Sequence, residues 1–230
     1  MIGIIGAMDV EIRTLLDKIS NKKEVKTKVK TFYTGLLNDK EVVIVLAGIG
    51  KVNAAITTSL LIENFDISHV INIGVAGGQN GVAHKDIVIS KEVLYHDVDL
   101  TVFDSGYVHG QMSGSEALFT ADKTLLNLTI NALSKINLPY RVGKIASGDQ
   151  FVVKVSKLDP VNKLYDDIYA IEMEAAAIAH TCTLYNVPFI IYRSISDLIE
   201  DENQDHDFYE FLKDASLNAT LVLEELVRHL

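Results

Sequence analysis

The chain has 230 residues, is 48% hydrophobic and carries a formal net charge of −10 at pH 7. This length suffices for one α/β domain with a large buried core, and we expect a single domain over residues 1–230. The acidic balance argues against a nucleic-acid partner, because nucleic-acid binding relies on clustered lysine and arginine. A small, weakly charged or zwitterionic ligand is expected instead.

The cellular compartment is predicted from the hydrophobic pattern and the cysteine content. No apolar run approaches the roughly 20 residues that cross a bilayer, and residues 1–6 lack the basic region of a signal peptide. Cys182 is the single cysteine, so neither an internal disulfide nor a cysteine-built metal site can form. We therefore expect a cytoplasmic protein that makes no contact with membranes.

Apolar runs rich in isoleucine and valine alternate with helical patterns along the chain. Such runs predict strands buried on both faces, at residues 2–5, 42–46, 70–73, 87–89, 144–146 and 189–192. Helical patterns lie at residues 9–19, 53–64, 121–136 and 173–185, and from about residue 208 onward. The alternation predicts an α/β fold, a three-layer α/β/α sandwich with a central, mostly parallel mixed sheet.

Glycine-rich segments follow three of the predicted strands, at residues 3–11, 47–55 and 72–78. Their glycines let backbone N–H groups approach a ligand and leave room for a ring, at the strand ends where α/β folds bind ligands. The second segment resembles part of a dinucleotide fingerprint, but Asn53 stands at the third glycine, so NAD is rejected. ATP on a P-loop is rejected because no such motif occurs.

Several carboxylates lie beside apolar segments, where an unpaired buried charge would be costly. Glu11 falls in the first turn of a predicted helix, Glu172 and Glu174 precede an alanine-rich helix, and Asp197 ends a hydrophobic strand. Taken alone, Glu11 could complement a helix dipole and Asp197 could cap a helix. The acidic stretch 200–207 is interpreted as a solvated loop before the last helix rather than as a metal site.

No metal and no cofactor is expected. The seven histidines form no HxH or HxxxH pair, and residues 96–99 are interpreted as a polar strand end. Ser147 and Ser196 lack a GxSxG context, which argues against a serine hydrolase triad.

Seven motifs in chain order resemble the 5′-methylthioadenosine/S-adenosylhomocysteine nucleosidase family, within the wider purine nucleoside phosphorylase-like fold. They are GIIGAM (3–8), GIGKVNAA (48–55), G-x-AGG (74–78), YHD-x-D (95–99), SGD-x-F (147–151), MEA-x-AIA (173–179) and S-x-SD (194–197). Each is weak alone, but together they span nearly the whole chain at the family's spacing.

The resemblance implies hydrolysis of the N-glycosidic bond of a thio-nucleoside by water, in methionine salvage and S-adenosylhomocysteine recycling. Asp197 would protonate N7 of adenine, and we expect apolar walls or neighbouring acids to raise its pKa; Glu11 would position and deprotonate the water. Glu174 would hold the ribose hydroxyls. The implied substrate contacts are Ile49, Gly77, Gly78, Phe151, Val152, Met173, Glu174 and Ser196. The family also implies a homodimer and no cofactor.

The sequence departs from the family pattern at two places near the expected ligand. Val75 stands where a serine is frequent, and the segment 103–110 is two residues longer than usual, with His109 near an expected tyrosine. In relatives this loop helps to cover the 5′ side of the ligand, so these changes concern the preference for the 5′ substituent.

Three other functions remain open. A purine nucleoside phosphorylase would share the fold but needs cationic groups for phosphate, and the chain has four arginines. A nucleosidase for another purine derivative, such as aminofutalosine, would make the same adenine and ribose contacts. A non-catalytic binding protein would have lost a catalytic acid, whereas Glu11, Glu174 and Asp197 are all present.

Overall fold

The computed structural model describes residues 1–103, 106–202 and 204–230, and only the backbone of Asp205. The strands are β1 (Ile2–Gly6), β2 (Ser20–Lys26), β3 (Thr31–Leu37), β4 (Lys40–Leu46), β5 (His69–Asn72), β6 (Val75–Gly78), β7 (Ile87–Tyr95), β8 (Phe119–Thr120), β9 (Tyr140–Ser147), β10 (Ile168–Glu172) and β11 (Phe189–Leu198). The helices are α1 (Asp9–Leu16), α2 (Lys51–Asn64), α3 (Lys123–Ile136), α4 (Asp159–Asn162), α5 (Ala175–Tyr185) and α6 (Gln204–Val227).

The strands form one mixed sheet in the order β2-β3-β4-β1-β5-β11-β6-β10-β9-β7-β8. Its centre is parallel: β1 lies between β4 and β5, and β11 pairs with β5 and β6. Antiparallel pairs lie at the two ends of the sheet, between β6 and β10, and between β11 and β7. Because β11 also pairs with β7, the strands β11, β6, β10, β9 and β7 close into a ring.

The buried strands predicted from the sequence are confirmed. Every residue of β1 and nearly every residue of β11 is buried, as expected for central strands covered on both faces. The helices form two groups, since α6 packs against α1, α3 and β11 while α2 packs against α5. This arrangement agrees with the predicted α/β architecture around a mixed sheet.

The fold differs from the sequence-based expectations in five strands and in the last helix, since β2, β3, β6, β8 and β10 were not among the predicted strands. The strand β2 was not predicted, because all of its residues are exposed and it lacks an apolar pattern. The acidic stretch was expected to remain a loop up to residue 207, but α6 begins at Gln204. Asp207 therefore lies in the first turn of a helix, where negative charge stabilises the N-terminus.

In the described part of the chain, the helices are too short or too polar to span a membrane.

Candidate functional site

A single cavity collects most of the residues singled out in the sequence. The cavity has a volume of about 120 Å³. The predicted site residues that line it are Glu11, Ile49, Gly77, Phe151, Met173, Glu174, Ser196 and Asp197. Val152 lines an adjoining space that shares Gly77, Phe151 and Asp197 with this cavity.

Glu11 is held by the start of α1. It is the third residue of the helix and reaches back to the N–H of the N-cap residue, Met8, as in a capping box. Its Oε2 accepts hydrogen bonds from the N–H groups of Ala7 (2.7 Å) and Met8 (2.9 Å), and its Oε1 accepts one from Val75 (3.1 Å). Burial raises the pKa of Glu11, although the charge of Arg193 and these hydrogen bonds oppose the rise.

A glycine on the neighbouring segment makes room for this carboxylate. A Cβ on Gly74 would lie 2.7 Å from Oε1 of Glu11, which is closer than atoms can pack. Gly74 and Val75, at the start of β6, therefore fix the position of Glu11 in two ways: Val75 donates a hydrogen bond to its carboxylate, and Gly74 has no side chain to displace it.

Glu174 lies at the N-cap of α5 and is buried. Its Oε1 accepts a 2.8 Å hydrogen bond from the N–H of Gly50, in a loop where Gly48 and Gly50 have φ values of +83° and +97°. Such positive φ angles favour glycine. Burial raises the pKa of Glu174, and the charge of Glu172 raises it further.

The sequence did not single out Arg193, although a charged residue inside a hydrophobic strand is a visible signal. Arg193 is completely buried, and its Nη2 donates 2.6 Å hydrogen bonds to Oε2 of Glu172 and to Oδ1 of Asn72. Glu172 also accepts hydrogen bonds from Ser147 and from the N–H groups of Glu174 and Ala175. Arg193 and Glu172 thus hold the start of α5, which carries Glu174.

Asp197 ends β11 after an irregularity in its pairing with β6. Its Oδ1 accepts a 2.7 Å hydrogen bond from the hydroxyl of Ser196, and its Oδ2 accepts one of 2.8 Å from Nε2 of Gln204. Burial raises the pKa of Asp197, as the sequence argument expected, and the charge of Asp207 adds to the rise. The hydrogen bonds from Ser196 and Gln204 act in the opposite direction.

Aromatic rings stand at the end of the cavity beside Asp197. The Phe151 side chain is 51% exposed, and its ring meets Phe208 edge-to-face with centroids 5.8 Å apart. Gln204 was missed as a site residue because α6 was expected to begin only at about residue 208, and Phe208 was missed because it fits the apolar stripe of that helix, which was expected to pack on the sheet. Gly78 is not among the described lining residues; a Cβ there would meet Val82 at 2.5 Å, and its substrate contact stays a prediction.

Of the two departures from the family pattern, Val75 lines the cavity, whereas the described residues of segment 103–110 do not. The side chain of Val75 lines the cavity. In the segment 103–110, residues 104 and 105 lie outside the described residues, and Nε2 of His109 is 3.0 Å from the backbone oxygen of His96. None of the described residues of this segment lines the cavity.

Three residues able to bind a metal ion come together on α6, and none of them lines the cavity. His206, Asp207 and Glu210 place ligand-type atoms within 4.8 Å of one another, but His206 and Glu210 are exposed, and exposed acidic groups of this kind are common without an ion. The absence of a bound metal stays a prediction.

Comparison with known proteins assigns the family. A family model described as the phosphorylase superfamily matches residues 1–228. The 5′-methylthioadenosine/S-adenosylhomocysteine nucleosidase of Oceanobacillus iheyensis is 44% identical over 228 residues, which cover 99% of this chain and 98% of that protein. The nucleosidase of the same name from Staphylococcus aureus is 41% identical over 231 residues and covers both chains completely.

A solved structure gives the same result. The crystal structure of the 5′-methylthioadenosine/S-adenosylhomocysteine nucleosidase from Neisseria meningitidis, in complex with methylthio-immucillin-A, superimposes with a TM-score of 0.94 at 40% identity. The match covers 100% of this chain and 99% of that chain. On this full-length similarity of sequence and structure, the chain belongs to the 5′-methylthioadenosine/S-adenosylhomocysteine nucleosidase family of the phosphorylase superfamily.

Proposed function

We propose that this protein hydrolyses the N-glycosidic bond of 5′-methylthioadenosine and S-adenosylhomocysteine, releasing adenine and the free 5-thio-substituted ribose. The observation that carries the proposal is the meeting of three buried carboxylates, Glu11, Glu174 and Asp197, in one cavity with largely apolar walls. The names of the full-length relatives support the same substrates.

Asp197 is assigned as the general acid. Adenine leaves poorly as an anion, so a proton donated to N7 as the bond breaks lowers the barrier, by a factor of about 10²–10⁴ in typical cases. A carboxyl group can donate this proton near neutral pH only if its pKa is raised, and burial raises the pKa of Asp197. The hydroxyl of Ser196 orients the group through Oδ1.

Glu11 is assigned as the base that positions and deprotonates the attacking water. Three backbone N–H groups hold its carboxylate in one orientation at the cavity wall, so little reorganisation is needed during the reaction. Its charged state is further supported by the buried guanidinium of Arg193, which lowers the pKa against the effect of burial.

Glu174 is assigned to the ribose hydroxyls, with Met173 packing on the sugar. The ribose becomes positively charged as the bond to adenine breaks, so hydrogen bonds to a carboxylate strengthen in the transition state. At the base end, Phe151 would stack on adenine, the backbone of Val152 would read its edge, and Gly77 and Gly78 would leave room beside the ring. Ile49 would contact the substrate from the loop before α2.

The cavity supports hydrolysis over phosphorolysis. A phosphate dianion needs arginine or lysine donors, and no described residue that lines the cavity is an arginine or a lysine. The nearby guanidinium of Arg193 already donates to Asn72 and Glu172. Glu11 would also repel a phosphate at the attacking position.

We also propose a homodimer, which acts in the cytoplasm. Ile49 in the loop before α2 and Val52 and Ile56 in the first turns of α2 are 53%, 69% and 45% exposed. They form an apolar strip that begins at the cavity, which Ile49 lines. A second copy of the chain covering this strip would bury it and shield the cavity mouth. Sedimentation of the wild type and of Val52→Glu tests this: a wild type that sediments as a monomer would refute the dimer.

The test of the activity uses the purified protein with each thio-nucleoside, first without phosphate and then with phosphate. Release of adenine and a free sugar at a rate independent of phosphate is expected. A sugar 1-phosphate formed only when phosphate is present would replace the proposal with a phosphorylase. No adenine from either substrate would redirect the search to other purine nucleosides or to a binding protein.

A further inference from the structure

Two basic residues of the loop before β7 contact one face of α6. Nε2 of His84 is buried and lies 3.4 Å from Oδ2 of Asp207, and it makes no hydrogen bond to any described residue. Nζ of Lys85 donates a 2.7 Å hydrogen bond to Oδ2 of Asp214. On α6 the partners Asp207, Phe211 and Asp214 follow one another at i, i+4 and i+7, which is the spacing of a single helix face.

The ring of Phe211 contacts both basic side chains. The imidazole of His84 packs on it with ring centroids 4.6 Å apart and planes inclined at 34°, and Nζ of Lys85 lies 5.2 Å from its centroid. A cation over the face of an aromatic ring is attracted to it, and His84 also becomes a cation when it is protonated. We call this set of contacts the α6 clamp; it consists of His84, Lys85, Asp207, Phe211 and Asp214.

The loop side of the α6 clamp is bonded to β11 just before Asp197. The N–H of Lys85 donates a 2.7 Å hydrogen bond to the backbone oxygen of Ile195, and the N–H of Ile195 donates one of 2.9 Å to the backbone oxygen of Asp86. Lys85 has a φ of +71°, a left-handed conformation that a residue other than glycine keeps only where surrounding contacts hold it. The clamp is therefore anchored two residues away from Asp197.

The helix side of the α6 clamp carries two residues that belong to the site. Gln204, three residues before Asp207, donates its 2.8 Å hydrogen bond to Oδ2 of Asp197. Phe208, the residue after Asp207, lines the cavity. Because a helix transmits displacement as a rigid element, a contact that holds Asp207 also sets the position of Gln204.

Resting on the proposed function, we propose that His84 is a positioning residue for the reaction: through the α6 clamp it holds the first turn of α6 so that Gln204 keeps the Asp197 carboxyl oriented. None of the five residues of the clamp lines the cavity, so the clamp acts through other residues. A displacement of about 1 Å at a reacting group can lower the rate by about 10². Loss of the clamp should therefore slow the chemical step more than it weakens substrate binding.

The surroundings of Asp197 give this role a pH signature. Burial raises the pKa of Asp197, and the hydrogen bonds from Ser196 and Gln204 oppose the rise. The charge of His84 also opposes it, whereas the charge of Asp207 adds to it. Replacing His84 removes its charge and loosens Gln204, and both changes raise the pKa of Asp197 further. Asp197 then stays protonated to higher pH, so the alkaline fall of kcat/KM should begin at higher pH.

The experiment measures release of adenine from 5′-methylthioadenosine by the wild type and by His84→Ala. We expect kcat to fall about tenfold in the variant, with a smaller change in KM and with the alkaline fall of kcat/KM moved to higher pH. His84→Arg should restore most of kcat, because a guanidinium can stack on Phe211 and pair with Asp207. A kcat in His84→Arg as low as in His84→Ala would overturn the role of this contact.

The matched control is Glu224→Gln, which breaks an ion pair at the other end of α6, where Oε1 of Glu224 lies 2.7 Å from Nζ of Lys18. This carboxylate stands about 25 Å along the helix from Asp207. The control should lower the melting temperature without changing kcat or the pH at which the rate falls. If His84→Ala behaves in the same way, the clamp only stabilises the fold and the proposal is overturned. If His84→Ala does not fold by circular dichroism, His84→Gln is judged by the same measurements.

The outcomes separate this proposal from the proposed function. A wild type that releases no adenine would refute the nucleosidase activity. An active wild type, with a His84→Ala variant that keeps the kcat and the pH profile of the wild type, would refute the role of His84 alone.

Discussion

The N–H of Gly50 donates a 2.8 Å hydrogen bond to Oε1 of Glu174 from 124 positions away in the chain. The loop that carries Gly50 is held by residues of two other segments. Nζ of Lys51 lies 2.7 Å from both carboxylate oxygens of Asp97, and the backbone N–H of Lys51 donates a hydrogen bond to Oδ1 of Asp149. The position of the Glu174 carboxylate therefore depends on an ion pair between two residues that do not line the cavity.

Asp97→Asn should weaken the hold on this loop. Burial alone would raise the pKa of Asp97, but the hydrogen bonds from Lys51 and Asp149 outweigh it and lower the pKa, so Asp97 is ionised and paired. Losing such a charged hydrogen bond costs about 1.5–3 kcal/mol. We expect a lower melting temperature and a raised KM with a smaller change in kcat. Asp99→Asn, an exposed carboxylate of the same segment bonded to Thr101, is the control.

Asp197→Asn should lower kcat by about 10²–10⁴, because an amide cannot donate a proton to N7. The structure should persist, since the side chain has nearly the same shape. Steady-state release of adenine measures the effect, with the exposed Asp166→Asn as the control. More than about a tenth of wild-type turnover in Asp197→Asn would contradict the role of general acid.

Glu11→Gln should bind substrate and fail to turn it over. The base is needed only when water attacks, so kcat should fall by about 10²–10⁴ while the dissociation constant for a bound analogue changes little. Calorimetry with a non-hydrolysable analogue and a rate assay separate the two effects. An unchanged kcat would assign the attacking water to another group.

The pH dependence should be bell-shaped. Burial raises the pKa of Asp197, and only its protonated form donates to N7, so kcat/KM should fall as the pH rises through this raised pKa. Burial also raises the pKa of Glu11, and only its ionised form acts as a base, so kcat/KM should fall as the pH drops through that value. A rate that keeps increasing into alkaline solution would argue against acid catalysis by Asp197.

Gly74→Ala should remove activity without replacing an ionisable group. The added Cβ would lie 2.7 Å from Oε1 of Glu11, so the carboxylate must move and lose its hydrogen bond to Val75. We expect a large loss of kcat in a protein that still folds, as judged by circular dichroism. Wild-type kcat in this variant would mean that the orientation of Glu11 is not essential.

The sequence alone predicted the strands β1, β4, β5, β7, β9 and β11, but not the central strands β6 and β10. Continuous runs such as residues 2–5 and 189–192 predict strands covered on both faces, and β1 and β11 confirm them. The exposed β2 carries no such pattern, so it was not predicted. The pairing of β11 with β7 joins strands far apart in the chain, and a local pattern contains no information about such a pairing.

For the site, the motifs determined the identity of the three carboxylates, because each motif is a short local segment. Only the tertiary structure decided what surrounds them. Gln204 reaches Asp197 because α6 begins earlier than its apolar period indicates. Arg193 meets Glu172 only when β11 and β10 lie in the same ring of strands. The sequence itself fixes which residue types are present. The pKa of each carboxylate, in contrast, depends on its burial and hydrogen bonds, and these come from segments that meet only in the folded chain.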